Sequence, residues 1–129
     1  MIEPVSAPRP VVLVADDDED ILQLLTFLLE SARYDVVQAR DGEEALRLAL
    51  DLLPSLAVLD AMMPGLDGFE VTRRLRSEGS TRHMPVILLT ARAQASDVSR
   101  GIAAGADDYV KKPFDARDLK DRIDRLLAS

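Results

Sequence analysis

Val11-Val12-Leu13-Val14-Ala15-Asp16-Asp17-Asp18 is an apolar run of five residues that ends abruptly in three acids. A run this short, β-branched and uninterrupted reads as a strand buried on both faces, as in a parallel sheet. Three later stretches repeat the pattern. Leu56-Ala57-Val58-Leu59 runs into Asp60, Val86-Ile87-Leu88-Leu89 into Thr90, and Tyr109-Val110 into Lys111-Lys112-Pro113. Parallel strands put their carboxyl ends along one sheet edge, where the binding crevices of open α/β sheets lie. Carboxylates gathered there with a hydroxyl and an ammonium make a divalent-metal and phosphoryl site, with a carboxylate available as nucleophile.

Between the strands the apolar spacing becomes helical. Ile21, Leu22, Leu24, Leu25, Leu28 and Leu29 define a first helix, with Asp18 or Asp20 as its cap. Tyr34–Ala39 reads as a second strand. Asp41 and Glu44 have the spacing of a capping box before a helix that buries Ala45, Leu46, Ala49 and Leu50 and is closed by Pro54. Met63-Pro64-Gly65-Leu66-Asp67-Gly68 is loop chemistry. Phe69, Val71, Thr72 and Leu75 mark a third helix with Arg73, Arg74 and Arg76 on its solvated side, broken by Gly79–Arg82. A short helix starts at Ser96-Asp97 and runs through Ile102, weakened by Gly101 and Gly105. A fifth strand ends at Lys112, and a last helix from about Ala116 buries Leu119, Ile123, Leu126 and Leu127. Strands alternating with helices predict a (βα)5 doubly wound, five-stranded parallel sheet. Residues 1–10, with Pro4, Pro8 and Pro10, read as a flexible leader, and 11–129 as one domain.

The bulk properties narrow the function classes. A chain of 129 residues is one domain of ordinary size. A net charge of −7 argues against nucleic-acid binding by this chain, because phosphate neutralisation needs clustered Lys and Arg. With no cysteine there is no disulfide framework, zinc thiolate or thiol nucleophile. No apolar run approaches the roughly 18 residues of a membrane span. The start, Met1-Ile2-Glu3-Pro4, lacks the regions of a secretory signal, so the expected location is the cytoplasm.

Five features then occur together and in order: the acidic cluster after the first strand; Asp60 followed by Met63-Pro64-Gly65; Thr90-Ala91; Gly105-Ala106-Asp107-Asp108-Tyr109; and Lys112-Pro113-Phe114. On these the chain resembles the receiver domain of two-component response regulators, stand-alone or N-terminal, over about residues 10–128. The resemblance implies a flavodoxin-like sheet of order 2-1-3-4-5. It implies Asp60 as phosphoacceptor, and Mg²⁺ (or Mn²⁺) held by Asp16, Asp17, Asp60 and the Met62 carbonyl. Thr90 would offer its hydroxyl to a phosphoryl oxygen. Lys112 would pair with the carboxylate and then with the phosphoryl group, ahead of a cis bond to Pro113. Tyr109 would be an aromatic switch that moves inward with Thr90. The implied partners are a sensor histidine kinase or histidine phosphotransfer protein. A downstream protein or output domain, or a second copy in a phosphorylation-dependent dimer, would use the face of the fourth helix, fifth strand and fifth helix. Asp107, Asp108, Asp118 and Arg122 fit the charge pattern of that face, whereas Val98 stands where a charged partner is expected. Such a domain catalyses only its own phosphorylation and dephosphorylation.

Plainer readings stand beside these. Asp16-Asp17-Asp18 also suits a helix-capping turn, and Asp18 is the cap among them. Lys111 and the three arginines of the third helix read as solvated, and His83 as a surface residue. Tyr109 also suits a core aromatic with a wet hydroxyl. Met62 and Met63 have a packing reading. Met62 and Arg92, each two residues past a site residue, flank the site. One rival function is a haloacid-dehalogenase-like phosphatase, whose strand-end acid pair Asp16 and Asp18 mimic; it would leave Asp60 without a role and lacks an acidic pair after Lys112. Another is a degenerate receiver that acts by binding, independently of phosphorylation.

Overall fold

The computed structural model describes residues 8–91 and 95–128. Residues 1–7 of the leader, Arg92 and Ser129 lie outside the described residues. Ten elements alternate: β1 (Val11–Ala15), α1 (Glu19–Ser31), β2 (Asp35–Ala39), α2 (Gly42–Leu52), β3 (Leu56–Asp60), α3 (Gly68–Ser77), β4 (Val86–Thr90), α4 (Ala95–Ala104), β5 (Asp108–Lys111) and α5 (Ala116–Ala128). The strands form one parallel sheet in the order β2-β1-β3-β4-β5, as the resemblance implied.

The central strands are buried on both faces, which is why they read as unbroken apolar runs. Their alternation splits the core in two. Leu13, Leu59 and Leu88 pack with Ala45, Ala49, Phe69, Val71 and Leu75 from α2 and α3. Val12, Val14, Val58, Ile87 and Leu89 pack with Leu22, Leu25, Leu29, Leu119 and Ile123 from α1 and α5.

Asp18 caps α1, its Oδ1 accepting from the amides of Asp20 at 2.9 Å and Ile21 at 3.3 Å. Asp41 caps α2 through the Glu44 amide at 2.7 Å, but the Glu44 carboxylate returns to the Arg40 amide instead of closing the box on Asp41. Asp67 caps α3 through the Glu70 amide.

Several expectations are corrected. Leu50 lies on the exposed side of α2 and Leu46 is half-buried, while the small Ala45 and Ala49 face fully inward, close to the sheet. Leu126 and Leu127 are half-buried, near the end of α5. Strand β5 stops at Lys111, one residue early, although the Lys112 amide still donates to the Thr90 carbonyl at 2.6 Å, and α4 runs from Ala95 to Ala104. Arg76 is not solvated. Its side chain is 21% exposed and donates to the carbonyls of Gly105 at 2.9 Å and Met84 at 2.7 Å, and to Asp107 Oδ2 at 2.9 Å. It ties the end of α3 to the turn after α4.

Candidate functional site

The carboxyl ends of β1, β3, β4 and β5 meet at one edge of the sheet. Asp16 is fully buried just past β1; its amide continues the ladder by donating to Ala39, and its Oδ1 accepts from the Asp18 amide at 2.9 Å. Asp60, the last residue of β3, is nearly buried, and its Oδ1 accepts from the Met62 amide at 3.2 Å. Asp17 is exposed at the rim. One oxygen from each of Asp16, Asp17 and Asp60 lies within 4.8 Å of the others. Thr90 ends β4 and is buried beside them.

The β3–α3 loop crosses this edge closely because of Gly68. A Cβ there would meet the Asp60 carbonyl oxygen at 2.4 Å, so no other residue lets the start of α3 sit against β3 in this way. Gly65 in the same loop has φ +74°, as the turn reading anticipated.

Lys112 pairs with Asp60, as expected, and also with Asp16. Its Nζ donates to Asp16 Oδ2 at 2.7 Å and stands 3.5 Å from Asp60 Oδ1. It bridges the two acids, with the short contact on Asp16. The bond from Lys112 to Pro113 is cis, as the resemblance implied. Burial works to lower the Lys112 pKa, but the hydrogen bond to Asp16 and the charges of Asp60 and Asp16 outweigh it, so the ammonium is held above its ordinary value.

Asp60 is pushed up to about 6, first by burial and then by the Asp16 charge; Lys112 and the Met62 amide offset part of this. Three carboxylates against one ammonium leave two negative charges uncompensated, the charge of a single divalent cation. Oxygen donors alone, partly open to water through Asp17, suit a hard cation such as Mg²⁺.

Other residues sort as follows. Tyr109 is half-buried under α4, against the α2–α3 core, with its ring centroid 6.5 Å from that of Phe69. Met63 is buried and fits its packing reading, whereas Met62 is 55% exposed beside Asp60 and does not. His83 and Lys111 are exposed. Arg73 and Arg74 are exposed and pair with Glu70, which they hold down to about 2. Arg122 is taken up within the chain, donating to Asp108 at 2.7 Å and Asp118 at 2.9 Å. Sequence reasoning missed Arg100, whose Nη2 lies 3.1 Å from Asp67 Oδ2 and whose Cζ sits 4.3 Å over the Phe69 ring. No local signal marks it, since its partners lie on another element.

Among the described residues, no helix is long and apolar enough to cross a membrane. The family described as the response regulator receiver domain matches residues 12–124. The chain is 46% identical over 118 residues to the DNA-binding dual master transcriptional regulator RpaA of Synechocystis sp., covering 92% of this chain and 49% of that protein. It therefore spans about half the length of the curated relatives it matches. Among solved structures it is similar to the receiver domain of the Francisella response regulator 1452, with 38% identity, TM-score 0.87, and coverage of 93% of this chain and 98% of that one. It is also similar to the receiver domain of the sensor histidine kinase PA1611 of Pseudomonas aeruginosa, described with a magnesium ion coordinated in the active site cleft. That match has 30% identity, TM-score 0.88, and coverage of 95% and 100%.

Proposed function

This chain belongs to the response regulator receiver domain family, and on that premise we propose that Asp60 takes a phosphoryl group from a histidine kinase or histidine phosphotransfer protein. It is a signalling domain of a two-component system, not a metabolic enzyme. The observation that carries the proposal is the meeting of Asp16, Asp17 and Asp60 within 4.8 Å, with the Lys112 ammonium on two of them.

In the proposed step a carboxylate oxygen of Asp60 forms a bond to phosphorus. The bond from phosphorus to the donor nitrogen, or to the donor oxygen of a small acyl phosphate, breaks with its electron pair leaving on the donor. The gathered carboxylates and the Met62 carbonyl would hold Mg²⁺, or Mn²⁺ in its place. A bound cation would compensate charge on the phosphoryl oxygens. Lys112 would add its positive charge, swinging from Asp16 towards the phosphoryl group, and the Thr90 hydroxyl would bond a phosphoryl oxygen. Tyr109 would follow Thr90 and bias the α4-β5-α5 face between two arrangements that a downstream protein, output domain or second copy distinguishes. Residues 11–129 would constitute this receiver, working in the cytoplasm, with the domain itself catalysing phosphoryl uptake and loss.

The test is to incubate the protein with acetyl phosphate and Mg²⁺ and to weigh it intact. A gain of about 80 Da, one phosphoryl group, is expected in the wild type. Asp60→Asn and excess EDTA should each abolish it. A gain that survives either one refutes the assignment.

A further inference from the structure

Helix α4 is weakly anchored. Among its described residues Gly101 alone is buried, Val98 and Ala104 are half-buried, and Ile102 is 69% exposed. A cleft of about 260 Å³ opens between α4 and β5, and one of about 310 Å³ between α4 and α3. A helix with so little apolar burial has low local stability, so the contacts it does make decide where it sits.

Two such contacts stand out. The Tyr109 ring lies close against α4 at Gly101: a Cβ there would meet Tyr109 Cδ2 at 2.9 Å. Next to Gly101, Arg100 stacks over Phe69 and pairs with Asp67. Phe69 in turn lies beside Tyr109. Asp67 caps α3, and Gly68 after it rests on the Asp60 carbonyl. Arg100 thus connects α4 directly to the loop that frames Asp60.

We infer that Arg100 is a positioning residue that clamps α4 onto Asp67 and Phe69 and so favours the arrangement with Tyr109 packed inward. The guanidinium suits this role. It carries a charge for Asp67 and a flat face for Phe69, and its exposed position keeps each contact modest enough to be reversible. The inference rests on the receiver reading for its functional consequence, but the position of α4 can be measured without it.

The experiment is hydrogen exchange on Arg100→Ala, Arg100→Lys, Asp67→Asn and the Arg100→Ala/Asp67→Asn double variant of the full chain, alongside phosphorylation by acetyl phosphate with Mg²⁺. Asparagine keeps the α3 cap while removing the charge. In Arg100→Ala the α4 amides should exchange about 3- to 10-fold faster, the scale of one exposed stack and one exposed pair, with α1, α2 and α5 unchanged. Phosphorylation should slow by a similar factor. Arg100→Lys should restore part of both, since it keeps the charge and stacks less well. The double variant should fall short of the product of the single effects. Unchanged α4 exchange, acceleration spread over all helices, effects of the two single changes that multiply fully, or faster phosphorylation in Arg100→Ala would each overturn the clamp. Absence of phosphorylation in the wild type would instead count against the receiver chemistry, while α4 exchange still decides the role of Arg100.

Discussion

Asp60→Asn should make the metal-free protein more stable while abolishing phosphoryl uptake. The Asp60 carboxylate is buried beside Asp16, and its pKa rises from 3.8 to about 6. A carboxyl with a raised folded pKa binds its proton more tightly folded than unfolded. It therefore burdens the folded state above the folded pKa and leaves it unburdened below the unfolded one. A shift of about two units corresponds to a ceiling of about 3 kcal/mol, and relaxation around the site brings the expected gain on substitution to about 1–3 kcal/mol at pH 7.5. For a domain of this size that is a rise in Tm of about 4–11 °C. At pH 4 the advantage should drop below about 1 kcal/mol, since Asp60 is then protonated in the folded wild type. The assay is thermal or urea unfolding in EDTA at both pH values, repeated in Mg²⁺. Binding at one hundred times Kd stabilises by about 2.7 kcal/mol, and the wild type with all three carboxylates should gain more of it, so the gap should close or reverse. An Asp60→Asn variant no more stable than wild type in EDTA at pH 7.5, or one with the same advantage at pH 4, would refute the electrostatic account.

Lys112→Ala should destabilise the apo protein by about 2–3 kcal/mol in urea titrations, because it strands the buried Asp16 charge; adding Asp16→Asn should recover most of the loss. Asp18→Ala should cost about 1 kcal/mol through loss of the α1 cap, read as a lower Tm with phosphorylation intact. Leu88→Ala, in the core between β4 and the helices, should cost about 2–5 kcal/mol in the same titration. Alkaline absorbance titration should show one tyrosine ionising only near pH 12, and Tyr34→Phe should remove it, since burial and the hydrogen bond to Asp124 hold the Tyr34 phenol up.

The sheet and the order of its elements were legible because each central strand is apolar without interruption and every helix but α4 shows its buried stripe at helical spacing. The polar residues at the strand ends were legible as a group for the same reason: once the strands are parallel, their ends converge. What the sequence hid was closure over distance. Lys112 and Asp16 are 96 positions apart, and nothing local says that the ammonium makes its short contact with Asp16 while also reaching Asp60. Arg76 looked solvated because it follows two exposed arginines, yet a turn 29 residues away folds over it. Leu50 looked buried because it fits the stripe of α2, but the stripe narrows where alanines bring the helix against the sheet. Helix α4 read as short because its small residues and glycines give little periodic signal, and that composition also leaves it loosely seated.

The charges on the α4-β5-α5 face have a further consequence for association. Arg122 already holds Asp108 and Asp118, and Asp107 is engaged by Arg76 and by the Val86 amide at 2.8 Å. A second copy that pairs with Asp107, Asp108, Asp118 or Arg122 would have to trade partners, since a new ion pair to one of these four releases one within a chain. Such an exchange is close to neutral in Coulomb energy, so these four residues would add little to the salt dependence of association. Affinity would then come from apolar contacts such as the exposed Ile102, while the acids and Arg122 act as a key, penalising any alignment that leaves one of them unmatched.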